Sequence, residues 1–274
     1  MLSQKPSIEI QGHRGFKGLY PENSILAFEK AAEFGVDVLE MDICVSEDLK
    51  IVVSHEPYIN PSICKMPDNG HNKDDLTLEY NLYKMSYDEI SAFDCGSVYQ
   101  EGFPLQKKIK ASKPLLKEVF KRISPNYPEM RFNIEIKAHP QMDRIFTPEP
   151  KEYVNLVLEV IDSEGMQDQI NLQSFDLRIL EEIHRQNPTI ELSLLVDSNE
   201  SISEKLDALS FKPEIISPHF SLLNTTNVDK YQSDGFLIVP WTVNSFGDLQ
   251  HMIDLGVNGI ITDYPNRLKS LLVK

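Results

Sequence analysis

The sequence predicts an α/β protein of the (β/α)8 TIM-barrel class, a ring of parallel strands with helices outside it. About eight short apolar runs alternate with amphipathic segments along the chain, which is the order of repeated β-α units. A strand, a helix and a further strand in that order indicate parallel pairing with right-handed crossovers. Eight such units within 274 residues fit a barrel better than a doubly wound sheet, which rarely needs so many strands.

The predicted elements follow one another in regular order. The predicted strands cover residues 8–11, 36–43, 132–136, 170–173, 190–196, 214–217, 236–241 and 259–262. The predicted helices cover residues 24–34, 115–123, 151–164, 176–187, 201–209, 245–255 and 265–272. In the third of these helices, Tyr153, Val157, Val160 and Ile161 recur at the three-and-four spacing of one helix face.

One interval breaks this alternation. The second predicted strand is followed by a further extended piece at 49–55, and then by about 55 residues with no clear strand. Seven aromatic residues make the interval too aromatic for a disordered linker: Tyr58, Tyr80, Tyr83, Tyr87, Phe93, Tyr99 and Phe103. We interpret residues 57–112, approximately, as an insertion within a single domain that spans 1–274. It is predicted to be helical at 86–93, with Ser86 as N-cap and Glu89 completing a capping box.

Charge and hydropathy exclude several classes of function. Acidic side chains number 42 against 27 basic ones, and the formal net charge of -15 repels nucleic acid and anionic membranes. We therefore expect no nucleic-acid partner and no stable membrane association. No apolar run approaches the ~20 residues of a membrane span, and the first six residues lack the apolar region of a signal peptide. A cytoplasmic protein is expected, or a periplasmic or secreted one if a signal peptide has been removed.

The cysteines do not indicate a structural role. Cys44, Cys64 and Cys95 are odd in number and lack CxxC or Cys/His spacing. This pattern predicts neither a disulfide framework nor a zinc site. We expect three free, buried thiols.

Carboxylates lie at the ends of two neighbouring strands, where barrel enzymes carry their chemistry. Glu40 and Asp42 are two residues apart and share a strand face, as do Glu135 and Lys137. Carboxylates that face a barrel lumen cost several kcal/mol each unless they are paired or metal-bound. The three acids therefore predict a site for Mg2+ or Ca2+, with Mn2+ also possible. The alternative is that they form ion pairs with Arg14 and Lys137 that only hold the barrel together.

Two histidines complete the candidate site. His13 and His55 each close an apolar extended run, and a pair that titrates near neutrality could serve as general acid and base. A histidine at a strand end is more often a hydrogen-bonded structural residue, but Arg14 beside His13 suits phosphate contact. Gln173 and Trp241, at two other strand ends, are expected to line a substrate pocket, although Trp241 could equally pack in the core. The remaining histidines receive no role: His71, His139, His184, His219 and His251.

Eight motifs, in order from residue 13 to residue 265, resemble the glycerophosphodiester phosphodiesterase family. They are His13-Arg14-Gly15, Pro21-Glu22-Asn23-Ser24, Glu40-Met41-Asp42, Val52-Val53-Ser54-His55, Asn133-Ile134-Glu135-Ile136-Lys137, Gln173-Ser174-Phe175, Trp241-Thr242-Val243-Asn244 and Ile261-Thr262-Asp263-Tyr264-Pro265. The resemblance implies a (β/α)8 barrel with an insertion after the second strand. The chain departs from the family pattern at Ser24, where threonine is common, and at Glu56, where aspartate is usual; both keep the chemistry of the position.

The resemblance also implies roles and a reaction. It implies that the metal ligands are Glu40, Asp42 and Glu135, that the acid/base pair is His13 and His55, and that the phosphate contacts are Arg14 and Lys137. The implied reaction is metal-dependent hydrolysis of a small glycerophosphodiester to glycerol 3-phosphate and an alcohol. One alternative is a lysophospholipase-D-type phosphodiesterase that uses the same site on a lipid. Another is a catalytically silent phosphate- or carbohydrate-binding barrel, which would be expected to lack one of the histidines or carboxylates.

Overall fold

Strands and helices alternate through residues 8–66 and 79–273, the part of the chain that the computed structural model describes. The strands are β1 Glu9–Gly12, β2 Val38–Val45, β3 Ile51–Val53, β4 Arg131–Ile136, β5 Ile170–Ser174, β6 Glu191–Val196, β7 Ile215–Pro218, β8 Leu237–Ile238 and β9 Gly259–Thr262. The α-helices are α1 Ile25–Phe34, α2 Tyr87–Ser91, α3 Leu116–Ile123, α4 Pro150–Glu164, α5 Leu177–Gln186, α6 Ile202–Asp207, α7 Thr225–Ser233, α8 Phe246–Leu255 and α9 Pro265–Leu272. Each predicted strand contains or overlaps an observed one.

The strands form a barrel. Their order is β8-β7-β6-β5-β4-β2-β1-β9, and all neighbours in this order are parallel. The short strand β3 lies off this path and pairs antiparallel with the end of β2. The chain after β8 closes the ring: the N–H of Ile261 donates to the carbonyl of Pro240, and the N–H of Val243 donates to the carbonyl of Ile261, both at 3.0 Å. The predicted TIM-barrel class is confirmed.

The core outside the strands is apolar, whereas much of the lumen is not. The rings of Phe120 and Phe132 meet edge to face at 5.1 Å between α3 and β4. Inside the barrel, buried amides replace the branched aliphatic side chains that usually fill such a lumen. Asn133 donates to Gln11 at 3.0 Å and to Gln173 at 3.2 Å, and accepts from Asn171 at 2.6 Å. This amide column leads toward the carboxyl ends of the strands.

The helices agree with the sequence pattern at most positions. Ser86 and Glu89 form the predicted capping box at the start of α2. Helix α7 is not predicted from the sequence, because it buries only Val228 and Tyr231 and its apolar periodicity is weak. Of the helices in the two described ranges, none combines the length and the apolar character that a bilayer crossing requires.

The described parts of the insertion, residues 57–66 and 79–112, share a small hydrophobic core with the barrel. Ile59, Leu82 and Ile90 pack there with Cys44 and Val52 of the barrel. A disulfide joins Cys64 to Cys95, 31 residues further along the chain, while Cys44 is free and buried. The prediction of three free thiols was therefore wrong for two of them, because this pairing depends on tertiary proximity and no spacing rule reveals it.

The disulfide is expected to stabilise the insertion. Replacing Cys64 and Cys95 together by Ser should lower the free energy of unfolding by about 3–4 kcal/mol, since the bond closes a loop of 31 residues in the unfolded chain. Urea unfolding followed by far-UV circular dichroism measures the change. Dithiothreitol should reproduce the loss in the wild-type protein and leave the double variant unaffected. Equal stability of the oxidised and reduced wild-type proteins would contradict the expectation.

Candidate active site

Three buried carboxylates meet at the carboxyl ends of β2 and β4. Asp42 on β2 stands opposite Glu135 on β4 in the parallel register, and Glu40 precedes Asp42 on the same strand face. One carboxylate oxygen from each of the three residues lies within 4.8 Å of the other two. The two-residue spacing read from the sequence therefore does direct these acids to one point of the lumen.

Burial and mutual repulsion separate the ionisation of the three acids. Burial, together with repulsion from Asp42, raises the pKa of Glu40 well above its usual range. Burial also raises the pKa of Glu135, although the Lys137 ammonium opposes it. The pKa of Asp42 lies well below its usual range, because positive charges, chiefly that of Arg14 and also that of Lys137, outweigh the effect of burial. Such crowding of carboxylates is relieved by a bound cation.

Arg14 reaches the cluster with both its backbone and its side chain. Its N–H donates to Glu40 Oε2 at 2.9 Å, its Nε lies 3.2 Å from Asp42 Oδ2, and its Nη1 donates to Glu22 Oε1 at 2.7 Å. The residue adopts a left-handed backbone with φ 50°, as does Asn23, whose Nδ2 donates to Asp42 Oδ2 at 2.9 Å. Non-glycine residues in this region cost about 1 kcal/mol or more, so two residues that contact Asp42 do so from strained backbone.

Lys137 approaches the cluster from the end of β4. Its Nζ donates to Glu135 Oε1 at 2.7 Å and lies 3.7 Å from Asp42 Oδ1. The ion pairs of the alternative interpretation are therefore present. They leave polar atoms unsatisfied, since within the described ranges Asp42 Oδ1 and Arg14 Nε are buried and have no hydrogen-bond partner.

His13 follows β1 and faces the carboxylates. Its Nδ1 lies 2.6 Å from Asp263 Oδ1, and its Nε2 lies 4.0 Å from Glu40 Oε2. Asn244 holds Asp263 by donating to its Oδ2 at 2.6 Å. Because an ionised Asp263 only accepts, Nδ1 carries a proton and Nε2 of the neutral ring is an acceptor. Burial lowers the pKa of His13 although the Asp263 charge opposes it.

His55 follows β3 and is one third exposed, at 32% of its side chain. Its Nδ1 lies 2.9 Å from Glu56 Oε1. The ring lines a cavity of about 330 Å³ whose wall also includes Tyr58, Glu135 and Phe175. The two predicted histidines therefore follow different strands beside the same cluster; the side chain of His13 is 13% exposed, and that of His55 lines the cavity.

Gln173 does not lie where a pocket-lining residue would. It is 1% exposed, and its Nε2 donates to Glu40 Oε1 at 3.1 Å, so it orients a carboxylate and belongs to the amide column. Phe175, two residues further and just beyond the end of β5, lines the cavity instead. The sequence placed Gln173 at a strand end but could not show how deep in the lumen its side chain lies.

Trp241 lies half-buried just after β8. Its Nε1–H donates to the carbonyl of Ser217 at 2.8 Å, and its ring meets Phe175 edge to face at 5.4 Å. Trp241 contacts Phe175, which lines the cavity. A contact between Trp241 and substrate remains a prediction. His219, which the sequence analysis leaves without a role, packs against the same ring at 5.4 Å.

Several supporting residues escaped the sequence analysis. Asp263, Asn244 and Asn23 each hold a predicted site residue in place, directly or through one hydrogen bond. All three lie within the motifs quoted above, although none received a role there. Polar side chains that flank a strand end within a motif are thus the signal that could have identified them.

The fold and the site define a TIM-barrel enzyme with an acidic centre at the carboxyl ends of its strands. Two histidines and two positively charged side chains, those of Arg14 and Lys137, flank this centre. Comparison with known families makes the class specific. The model of the glycerophosphoryl diester phosphodiesterase family matches residues 13–267. The chain belongs to this family.

Relatives span nearly the whole chain. A glycerophosphodiester phosphodiesterase of Bacillus altitudinis is 30% identical over 265 residues, covering 94% of this chain and 96% of the relative. A crystal structure from Silicibacter pomeroyi DSS-3 of a protein that carries the family name superposes with a TM-score of 0.88 and 25% identity, covering 98% of this chain and 94% of the other. An Oleispira antarctica phosphodiesterase, solved with the product sn-glycerol-3-phosphate, has a TM-score of 0.78, 21% identity and 98% coverage of both chains. At 21% identity, the similarity to the Oleispira antarctica structure is one of fold.

Proposed function

We propose that this chain hydrolyses small glycerophosphodiesters to sn-glycerol 3-phosphate and an alcohol, with a divalent cation at the carboxylate cluster. One observation carries the proposal: three buried carboxylates converge between two histidines in a barrel of this family. The product in the Oleispira antarctica structure supports the class of substrate.

The carboxylate cluster fits a hard divalent cation. Glu40, Asp42 and Glu135 offer oxygen donors only, which suits Mg2+ or Ca2+ and admits Mn2+. The orphaned Oδ1 of Asp42, buried without a hydrogen-bond donor among the described residues, is an acceptor that a cation would satisfy. When bound there, the cation would neutralise negative charge on the phosphoryl oxygens.

Arg14 and Lys137 would contact the phosphoryl group. Neighbouring carboxylates raise the pKa of both side chains despite their burial, so both stay charged at every working pH. Their positions are fixed in advance by Glu22 and Glu135, to which they donate hydrogen bonds. Fixed cations that face a phosphoryl group stabilise the charge that develops on it without reorganisation during the reaction.

His13 and His55 would move the protons. Each has a carboxylate at Nδ1, Asp263 for His13 and Glu56 for His55, which leaves Nε2 to face the reacting group. One histidine starts neutral and takes the proton of the attacking hydroxyl on Nε2, while the other starts as the imidazolium and gives its Nε2 proton to the departing alkoxide. The protons balance whether His13 is the base and His55 the acid or the reverse.

The cavity beside His55 would receive the head group. Its volume of about 330 Å³ is near the lower limit of about 300 Å³ for ligand sites. Its wall combines apolar surface from Tyr58, Met142 and Phe175 with the charges of Glu56 and Lys137. A small polar head-group alcohol fits this space.

A turnover panel tests the proposal. Glycerophosphocholine, glycerophosphoethanolamine and glycerophosphoglycerol are each assayed with Mg2+, Ca2+ and Mn2+, and release of sn-glycerol 3-phosphate is followed with a coupled dehydrogenase. We expect turnover of at least one diester, faster than choline release from lysophosphatidylcholine micelles. Preference for the micelles would favour the lipid alternative. A protein that is folded and metal-loaded but releases nothing from any diester would refute the proposal.

A further inference from the structure

Lys113 is a buried lysine that the proposed reaction leaves unused. Its residue exposure is 4%, at the point where the insertion returns to the barrel. Burial lowers the pKa of its ammonium group, and the carboxylates of Glu56 and Glu22 oppose this effect. An isolated buried cation is strongly unfavourable, so the presence of a lysine here requires a compensating interaction.

The backbone around Lys113 is fixed on two sides. The carbonyl of Lys113 accepts a hydrogen bond from the Tyr87 hydroxyl at 3.3 Å. The carbonyl of the next residue, Pro114, accepts from the N–H of Val53 at 2.8 Å, which places this stretch beside β3. The proline also restricts Lys113 to extended backbone. The lysine therefore has a defined anchor next to the residues that follow β3.

From this anchor, hydrogen bonds lead to a catalytic candidate. Lys113 Nζ donates to Ser54 Oγ at 2.8 Å, and that hydroxyl donates to the carbonyl of Glu56 at 2.6 Å. The Glu56 carboxylate in turn lies 2.9 Å from His55 Nδ1 through its Oε1. Its other oxygen, Oε2, is buried and has no hydrogen-bond partner in the described ranges. The Lys113 ammonium thus acts on the Glu56 carboxylate, one oxygen of which has no hydrogen-bond donor among the described residues.

The charge of Lys113 also favours the ionised form of Glu56. Burial alone would raise the pKa of this carboxyl. The hydrogen bond from His55 and the charges of His55 and Lys113 outweigh burial, and the pKa lies below its usual value. A carboxylate accepts the Nδ1–H of a histidine, whereas a protonated carboxyl can donate to that nitrogen instead.

We propose that Lys113 is a positioning residue for His55. This role rests on the proposed function in one respect, namely that His55 acts on the reacting group. Lys113 fixes the turn 54–56 through Ser54 and so places the Glu56 carboxylate against His55. Glu56 then accepts the Nδ1–H of His55, which leaves Nε2 free to take up or give a proton on the side of the cavity. Lys113 itself contacts no substrate.

The first test is Lys113→Met, which keeps the length of the side chain and removes its charge. We expect kcat on the best diester of the panel to fall about 10- to 100-fold with KM within about twofold, because a misoriented histidine loses proton transfer while substrate contacts persist. Lys117→Met is the matched control, since Lys117 is exposed on α3. It should retain wild-type kcat and KM. A folded Lys113→Met protein with wild-type kcat would overturn the proposal.

A double variant tests whether Lys113 acts through Glu56. Glu56→Ala combined with Lys113→Met should have the kcat of Glu56→Ala alone, since His55 Nδ1 has already lost the acceptor that Lys113 positions. Losses that multiply would overturn the proposal. The double variant removes both buried charges, so the comparison with Glu56→Ala stays available even if Lys113→Met alone does not fold.

A readout without turnover separates this inference from the proposed function. ¹⁵N-histidine NMR at about pH 9, where an ordinary imidazole is neutral, should show His55 protonated at Nδ1 in the wild-type protein. Lys113→Met should shift the proton toward Nε2. An unchanged His55 tautomer would overturn the positioning role whatever the rates. A shifted tautomer in a protein whose wild-type form hydrolyses no diester would refute the proposed function and leave the positioning role intact.

Discussion

Replacing Glu135 by Gln is expected to lower diester turnover by at least about 10³-fold, because the variant loses one of three anionic ligands and the affinity for the cation with it. The amide oxygen of the introduced glutamine can still accept the hydrogen bond that Lys137 Nζ donates to Glu135 at 2.7 Å in the wild-type protein. The loss is therefore one of ligand charge and not of local packing. Turnover and calorimetric titration with Mg2+ or Ca2+ measure the two effects.

Stability distinguishes metal binding from mere ion pairing in the same variant. Without metal, Glu135→Gln should unfold at the same temperature as the wild-type protein or higher, since the clustered carboxylates repel one another. If the acids served only to pair with cations, the variant would be less stable and no less active. Glu47→Gln, an exposed acid beyond the end of β2, is the control and should change neither property. Full wild-type activity in excess EDTA, with no bound metal on elemental analysis, would contradict the metal proposal.

A substrate without the 2-hydroxyl is expected to turn over orders of magnitude more slowly than the glycerol diester. In the mechanism that we favour, the 2-hydroxyl attacks phosphorus and the bond from phosphorus to the head-group oxygen breaks. One histidine takes the hydroxyl proton and the other protonates the leaving alkoxide. Water then opens the cyclic phosphate. Intramolecular attack gains an effective molarity of ~10⁵ M or more when well oriented, and the deoxy substrate loses this gain.

The histidine variants check the same step. His13→Ala and His55→Ala should each lower kcat on the glycerol diester by about 10²- to 10⁴-fold, since acid and base act together. His251→Ala, on the outer helix α8, should leave it unchanged. Similar rates for the deoxy and glycerol substrates would exclude the cyclic intermediate and favour direct attack by water, with the site residues unchanged.

The sequence predicts those parts of this protein that follow from local pattern. Alternating apolar runs locate the barrel strands, and the two-residue spacing of Glu40 and Asp42 directs both into the lumen. Features set by contacts between distant segments were not predicted. The Cys64–Cys95 bond is one of them. The burial of Lys113 beside Ser54, across 59 residues of chain, is another.

Two further differences between the predicted and the observed structure also arise from contacts between distant segments. Gln173 has the spacing of a strand-end residue, but its depth in the lumen depends on how β5 is staggered against β4. The polar helix α7 forms because Val228 and Tyr231 dock on the barrel, and two apolar contacts give too little periodicity to detect. In both cases tertiary packing decides what the local sequence leaves open.

The amide column in the lumen limits how this enzyme can change. An aliphatic core accepts a neighbour of similar volume at modest cost, because a methyl group has no direction. Asn133 contacts Gln11, Asn171 and Gln173, and the assignment of oxygen and nitrogen in each amide fixes that of the next. A substitution at Asn133 would leave three partners seeking new ones and would reach Glu40 through Gln173. New substrate preferences are therefore expected to arise by exchange of the loops and the insertion, while the floor beneath the carboxylates stays the same.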